Sequence, residues 1–165
     1  MNELYAEAGV KRRSTPGTIA AKAGLIVGIV LLTFFGLLTG SPILVPVAAV
    51  LIVVIIYFFP RFNVEYEYVF CDGQLDFDKI MGGAKRKTAL RIDFENVEIV
   101  APKGSHALDS YQQHRVKDFS SCNPEVKPYV IITSNGDQML QIYFEPSEKM
   151  IEVMKLKSPR KIVNY

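Results

Sequence analysis

Four side chains with chemical potential fall in one stretch, "KGSHALDSYQQHRVKDFSSCNPEVK": His106, Asp109, His114 and Cys122. Imidazole, carboxylate and thiol could together hold a transition metal or form a Cys–His nucleophile. Long polar loops often carry function. The spacing matches no compact ligand pattern. Ordinary surface residues, with Cys122 tucked under the loop, account for all four. The sequence therefore reads as non-enzymatic, with no catalytic residue, cofactor or metal. An enzyme with its site in residues 103–127 is the competing expectation, decided by whether these side chains converge.

The second candidate is Gly82-Gly83-Ala84-Lys85-Arg86-Lys87, with Arg91 further on. A Walker-type phosphate loop needs its full spacing and a helix start, and neither is present. What remains is a basic hairpin tip. It is solvated, or drawn to anionic lipid at about 1 kcal/mol per basic residue, or holds a specific anionic ligand. Lys85, Arg86, Lys87 and Arg91 are the candidate contacts. Lys155, Lys157, Arg160 and Lys161 form a second basic cluster of the same kind. Net charge is only +2 and the aromatics sit mostly in core phase, so nucleic acid is not expected. Cys71 and Cys122 do not make a disulfide framework, and free thiols are the default in a reducing compartment.

The elements that position these residues begin with two apolar runs. "AAKAGLIVGIVLLTFFGLL" covers residues 20–38 and "PILVPVAAVLIVVIIYFF" covers 42–59. At 1.5 Å per residue each would span about 27–29 Å, close to the ~30 Å hydrocarbon thickness. Their only charge is Lys22, near an end, where its stem can snorkel. Thirteen residues of the second run are Leu, Ile, Val or Phe, which favours insertion. Gly40-Ser41-Pro42 is turn chemistry. The sequence thus predicts a transmembrane helical hairpin over 19–60, after a basic arm at 1–18 and before a domain at 61–165.

Lys11, Arg12 and Arg13 precede the first span, Arg61 follows the second, and the turn is uncharged. The positive-inside rule keeps both termini cytoplasmic, in a multi-pass protein of the inner (plasma) membrane. Gly24, Gly28, Gly36 and Gly40 form two small-xxx-small pairs. Packing against Ala48 and Ala49 of the same hairpin is the favoured role, and dimerisation the alternative.

Residues 61–165 read mostly as strands. "RFNVEYEYVF" alternates strictly, Asp72-Gly73 signals a hairpin, and "QLDFDKI", "KRKTALRI" and "VEIVAP" follow. A short helix is expected around 108–116. "PYVIIT" and "MLQIYFE" flank Asn135-Gly136, and a helix capped by Ser147 carries Met150, Ile151 and Met154 on one face.

Two spans before such a domain resemble bacterial pleckstrin-homology-like membrane proteins. "YEYVFCDGQLDF" is similar to the first hairpin, "RIDFENVEIV" to the third-to-fourth strand turn, and "FEPSEKMIEVMKL" to the closing helix. The resemblance implies a membrane-anchored α+β protein: a mainly antiparallel, bent sheet sandwich with a C-terminal helix. That fold has seven strands where six are visible, so a seventh is expected within 103–127. It also implies an interaction module, docking a protein partner, further copies of itself or anionic lipid headgroups. Eukaryotic pleckstrin-homology domains hold phosphoinositides on an early basic hairpin. A membrane-complex subunit working through its spans is the alternative function.

Overall fold

The computed structural model describes residues 4–14, 16–59, 63–83, 85–111, 115–136 and 138–163, except the side chains of Phe58 and Asn135. The chain divides into two compact units.

The first unit joins the segment up to Arg12 to residues from Val64 onward. The arm expected at 1–18 is therefore partly a strand: β1 (Tyr5–Lys11) pairs antiparallel with β2 (Val64–Cys71), Lys11 opposite Glu65. β3 (Gln74–Met81) and β4 (Lys85–Asp93) complete a sheet of order β1-β2-β3-β4. A helical turn at Phe94–Asn96, capped by the Asp93 carboxylate, leads into β5 (Val97–Pro102). The short helix expected at 108–116 is instead a 3-10 turn at His106–Tyr111, followed by β6 (Arg115–Asp118). β6 is the strand expected to lie within 103–127. With β7 (Tyr129–Asn135) and β8 (Gln138–Phe144) it makes a second sheet of order β5-β7-β8-β6, where β6 runs parallel to β8.

The strict alternation of β2 sends Tyr66, Tyr68 and Phe70 inward, and all three are buried. Phe77 stacks on Phe119 at 4.8 Å between ring centroids, and Tyr68 meets Phe144 edge-on at 5.6 Å. The buried Tyr68 hydroxyl donates to the Phe119 carbonyl. Each fully buried aromatic contributes roughly 1.5–3 kcal/mol. The final helix, α3 (Glu148–Lys157), starts where Ser147 Oγ accepts from the Met150 amide at 3.3 Å, and it buries Met150 and Met154 completely. Asp72 (φ 47°) and Gly73 (φ 99°) supply the two left-handed residues of a type I′ hairpin. Beyond α3 the chain covers the β5 edge: the Val100 amide donates to the Lys161 carbonyl at 2.7 Å, and the Val163 amide to that of Val100 at 2.8 Å.

The second unit, residues 13–63, is helical. α1 (Pro16–Thr39) is long and apolar enough to cross a membrane, and Gly36 is its buried residue. α2 (Leu44–Phe58) has 15 residues, fewer than the run of 42–59 read from the sequence, and falls below that length. Gly40 turns the chain at φ 61°. A Cβ on Gly36 would meet Leu44 at 3.0 Å and Val45 at 3.4 Å, so Gly36 is the contact that lets α1 and α2 close. Ala48 is buried and Ala49 exposed. A Cβ on Gly24 or Gly28 would meet nothing within 4 Å outside its own helix backbone among the described residues.

Candidate functional site

The basic hairpin is formed by β3 and β4, and β4 is a sheet edge. Simple alternation back from the core residues Ile92 and Leu90 would turn Thr88 and Arg86 inward. A bulge prevents this: Phe77 faces Leu90, but Asp78 faces Thr88, leaving Ala89 unpaired. One extra residue reverses the faces of everything before it. Arg86 thereby joins the outer face with Glu67 and Asp78. Its Nε donates to Asp78 Oδ2 at 2.6 Å, and its Nη2 lies 2.9 Å from Glu67 Oε2. Asp78 is buried. Burial opposes its ionisation, but hydrogen bonding from Thr88 and Arg86 outweighs that and holds its carboxyl below the usual range. Arg91 grips Asp76 in a two-pronged bond, 2.7 Å at each prong.

Of the four sequence candidates, Arg86 and Arg91 are thus engaged within the sheet. Lys85 and Lys87 are exposed and make no ion pair among the described residues. The sheet adds a residue that sequence reading passed over. Lys79 lies directly opposite Lys87 in the β3–β4 register. Two like charges facing across a ladder repel, and an anion would relieve that. The signal was present: Lys79 is in phase with Leu75 and Phe77 but charged, so the core has ended there.

The position of this cluster follows from register. Val64 pairs with Met81, and Met81 with Lys85. The β3–β4 tip is therefore at the same end of the sheet as Lys11 and Glu65, where the chain leaves for α1 and returns from α2. Lys11 reaches Glu65 only loosely, at 3.7 Å. Arg12 donates to the Tyr66 hydroxyl at 2.7 Å. The opposite end carries both signs of charge. A cavity of about 310 Å³ there is lined by Asp72, Asp93, Glu95 and Lys157, among others. In the second basic cluster, Lys157 lies 3.5 Å from Asp72, and Lys161 Nζ donates to the carbonyls of Phe94 (3.0 Å) and Glu95 (2.8 Å).

The stretch 103–127 resolves into two separate groups. His106 Nδ1 lies 3.2 Å from Asp109 Oδ2, both well exposed. Cys122 lies with Asp118 and Ser120 on a different cavity of about 400 Å³, which also takes in Lys103, Lys127 and Glu145. Cys122 is exposed, not tucked under the loop, and its Sγ is 3.6 Å from Asp118 Oδ2. Ser121 ties the loop down, its amide and hydroxyl donating to Glu145 Oε1 at 2.8 and 2.7 Å. No hydrogen bond joins the two groups among the described residues, and His114 and Arg61 lie outside those residues. No cluster of three or more metal-ligating side chains occurs among the described residues.

A family model described as a bacterial PH-like domain (DUF6106) matches residues 2–164. Neither the curated proteins nor the solved structures contain a match. The match takes in β1, the helical hairpin and both sheets, and this chain belongs to the bacterial PH-like domain family.

Proposed function

We propose that this protein is a non-enzymatic interaction module, anchored by its helical hairpin in the plasma membrane, whose PH-like domain docks on anionic lipid headgroups at the cytoplasmic face. The observation that carries the reading is the shared sheet end. Lys79, Lys85 and Lys87 lie on the end of the sheet that is tethered to both helices. Four residues separate β1 from α1, at most about 14 Å of chain. At about 1 kcal/mol per basic residue near an anionic surface, three lysines would hold the domain down with roughly 3 kcal/mol.

The pairing of β1 with β2 also bears on topology. The strands before α1 and after α2 are hydrogen-bonded neighbours, so both flanks must lie on one side of any membrane. If α1 enters the bilayer, α2 has to bring the chain back. The uncharged turn and the cluster Lys11, Arg12 and Arg13 favour the cytoplasm for those flanks.

The test is lysine acetylation of the full chain in nanodiscs, read by mass spectrometry. Lys85 and Lys87 should react several-fold more slowly with 30% anionic lipid than with zwitterionic lipid, and recover in 1 M salt. Lys149 and Lys155 on α3 serve as internal standards. Equal rates in both lipids would remove the lipid reading and favour a protein partner.

A second reading has its own support. Gly24 and Gly28 present an open helix face not used by the hairpin, which suits assembly through α1. Gly24→Leu with Gly28→Leu should then abolish crosslinked oligomers while leaving the domain folded.

A further inference from the structure

We infer that the tip of the helical hairpin ends in the acyl region of the far leaflet and never meets the water beyond it. The inference rests on the membrane anchoring proposed above and adds its depth and its lipid partner. Two independent observations carry it.

The first is length. Lys22 Nζ lies 5.2 Å from the centroid of the Phe59 ring, so the charge that begins the apolar part of α1 is level with the end of α2. From that level α2, with 15 residues, descends about 22 Å, and the matching part of α1, from Lys22 to Thr39, about 27 Å. The hydrocarbon layer is ~30 Å and the bilayer with headgroups ~40–45 Å. Tilt shortens the reach further.

The second is the chemistry of the tip surface. Leu37, Leu38 and Ile43 flank the turn and are 67%, 69% and 69% exposed. They are among the most exposed large apolar side chains in the protein. In water each would forfeit burial worth roughly 1.5–3 kcal/mol. Acyl chains are the occupant that fits them.

The turn meets part of its backbone need from within. The Gly40 amide donates to the Leu37 carbonyl and the Ser41 amide to that of Gly36. Thr39 Oγ1 donates to the Phe35 carbonyl at 2.8 Å. α2 has no side-chain cap at its start. Pro42 and Pro46 have no amide to satisfy, and Val47 donates back to Ile43, an arrangement compatible with lipid that helix ends in water also use.

The test uses the full chain with Cys71→Ser, Cys122→Ser and Ser41→Cys in bacterial cells. Intact spheroplasts are treated with a membrane-impermeant maleimide, and carbonate-washed membranes are then labelled again in detergent. The expected result is labelling only in detergent, at least ten-fold above that from outside. Comparable labelling from outside would overturn the inference, because the tip would then reach water across a full or thinned bilayer. Recovery in the soluble fraction would instead overturn the anchoring itself, and the inference with it. Should the maleimide result reflect slow thiolate formation, a fluorophore at Ser41→Cys in proteoliposomes decides. Quenching by acyl-chain bromines above that by aqueous iodide supports the inference, and the reverse order overturns it.

Discussion

Removing the Arg86 guanidinium would leave Asp78 buried without its counter-charge, because Glu67 offers only a second acid. Arg86→Gln is therefore expected to lower the melting temperature more than Lys85→Gln or Lys87→Gln. The reverse order is expected for release from anionic lipid. Tyr68 presents a comparable case in the core. Its hydroxyl meets the Phe119 carbonyl in a fully buried position, and burial pushes the phenol far above its usual range. Tyr68→Phe should cost about 1–2 kcal/mol by denaturant unfolding, since the carbonyl loses its donor.

Asp118 sets a pH dependence. Burial works against its charge, but the hydroxyl and amide of Ser120, with Arg12 nearby, hold its carboxyl below the usual carboxylate range. A depressed acid stabilises the folded state above its unfolded pKa and stops doing so as pH falls through the folded value. The melting temperature should therefore drop below about pH 4, and Asp118→Asn should flatten that drop. Little of this was legible in the sequence. The types of Arg86 and Lys85 suggested one shared role; alternation puts them on opposite faces, and the bulge at Ala89 decides that Arg86 is the one beside Asp78.

At the scale of elements, β2 to β5, β7, β8 and α3 were legible because alternation, Asp72-Gly73, Asn135-Gly136 and the Ser147 cap all act over a few residues. β1 was not. "YAEAGVK" alternates only small residues, and its partner β2 lies beyond both helices. β6 has four residues and a parallel pairing supplied by β8, which no local signal encodes. This makes the hairpin an insertion between two adjacent strands. A chain starting at residue 61 would lack β1 and leave Tyr66, Tyr68 and Phe70 without Ala6, Ala8 and Val10 beside them. It should be markedly less stable. Joining Arg12 to Val64 through Asn-Gly should restore a folded, soluble domain, because the Arg12 amide already donates to the Val64 carbonyl at 2.9 Å and a two-residue turn closes such a pair. Circular dichroism melts of the two chains decide this.

At the scale of the whole molecule, two chain connections tie the helices to one end of a sheet whose charge differs between its ends. Lys79, Lys85 and Lys87 occupy the tethered end, and Asp72, Asp93 and Glu95 the other. An anionic surface attracts the first more than the second, whose acids are partly countered by Lys157 and Lys161, so it would orient the domain as well as hold it. The attraction should fade as salt shortens the screening length from about 8 Å at 0.15 M to about 3 Å at 1 M. The most direct test places a fluorophore at Gly83→Cys or at Glu95→Cys in the full chain lacking Cys71 and Cys122. Gly83 sits on an open tip at φ 71°, where one strained residue costs roughly 1–2 kcal/mol. Each labelled chain is reconstituted in nanodiscs carrying a quencher on the lipid headgroups. With anionic lipid the label at 83 should be quenched strongly and the label at 95 little, and 1 M salt should reduce the difference. Equal quenching at both positions, or stronger quenching at 95, would contradict the docking of the basic end.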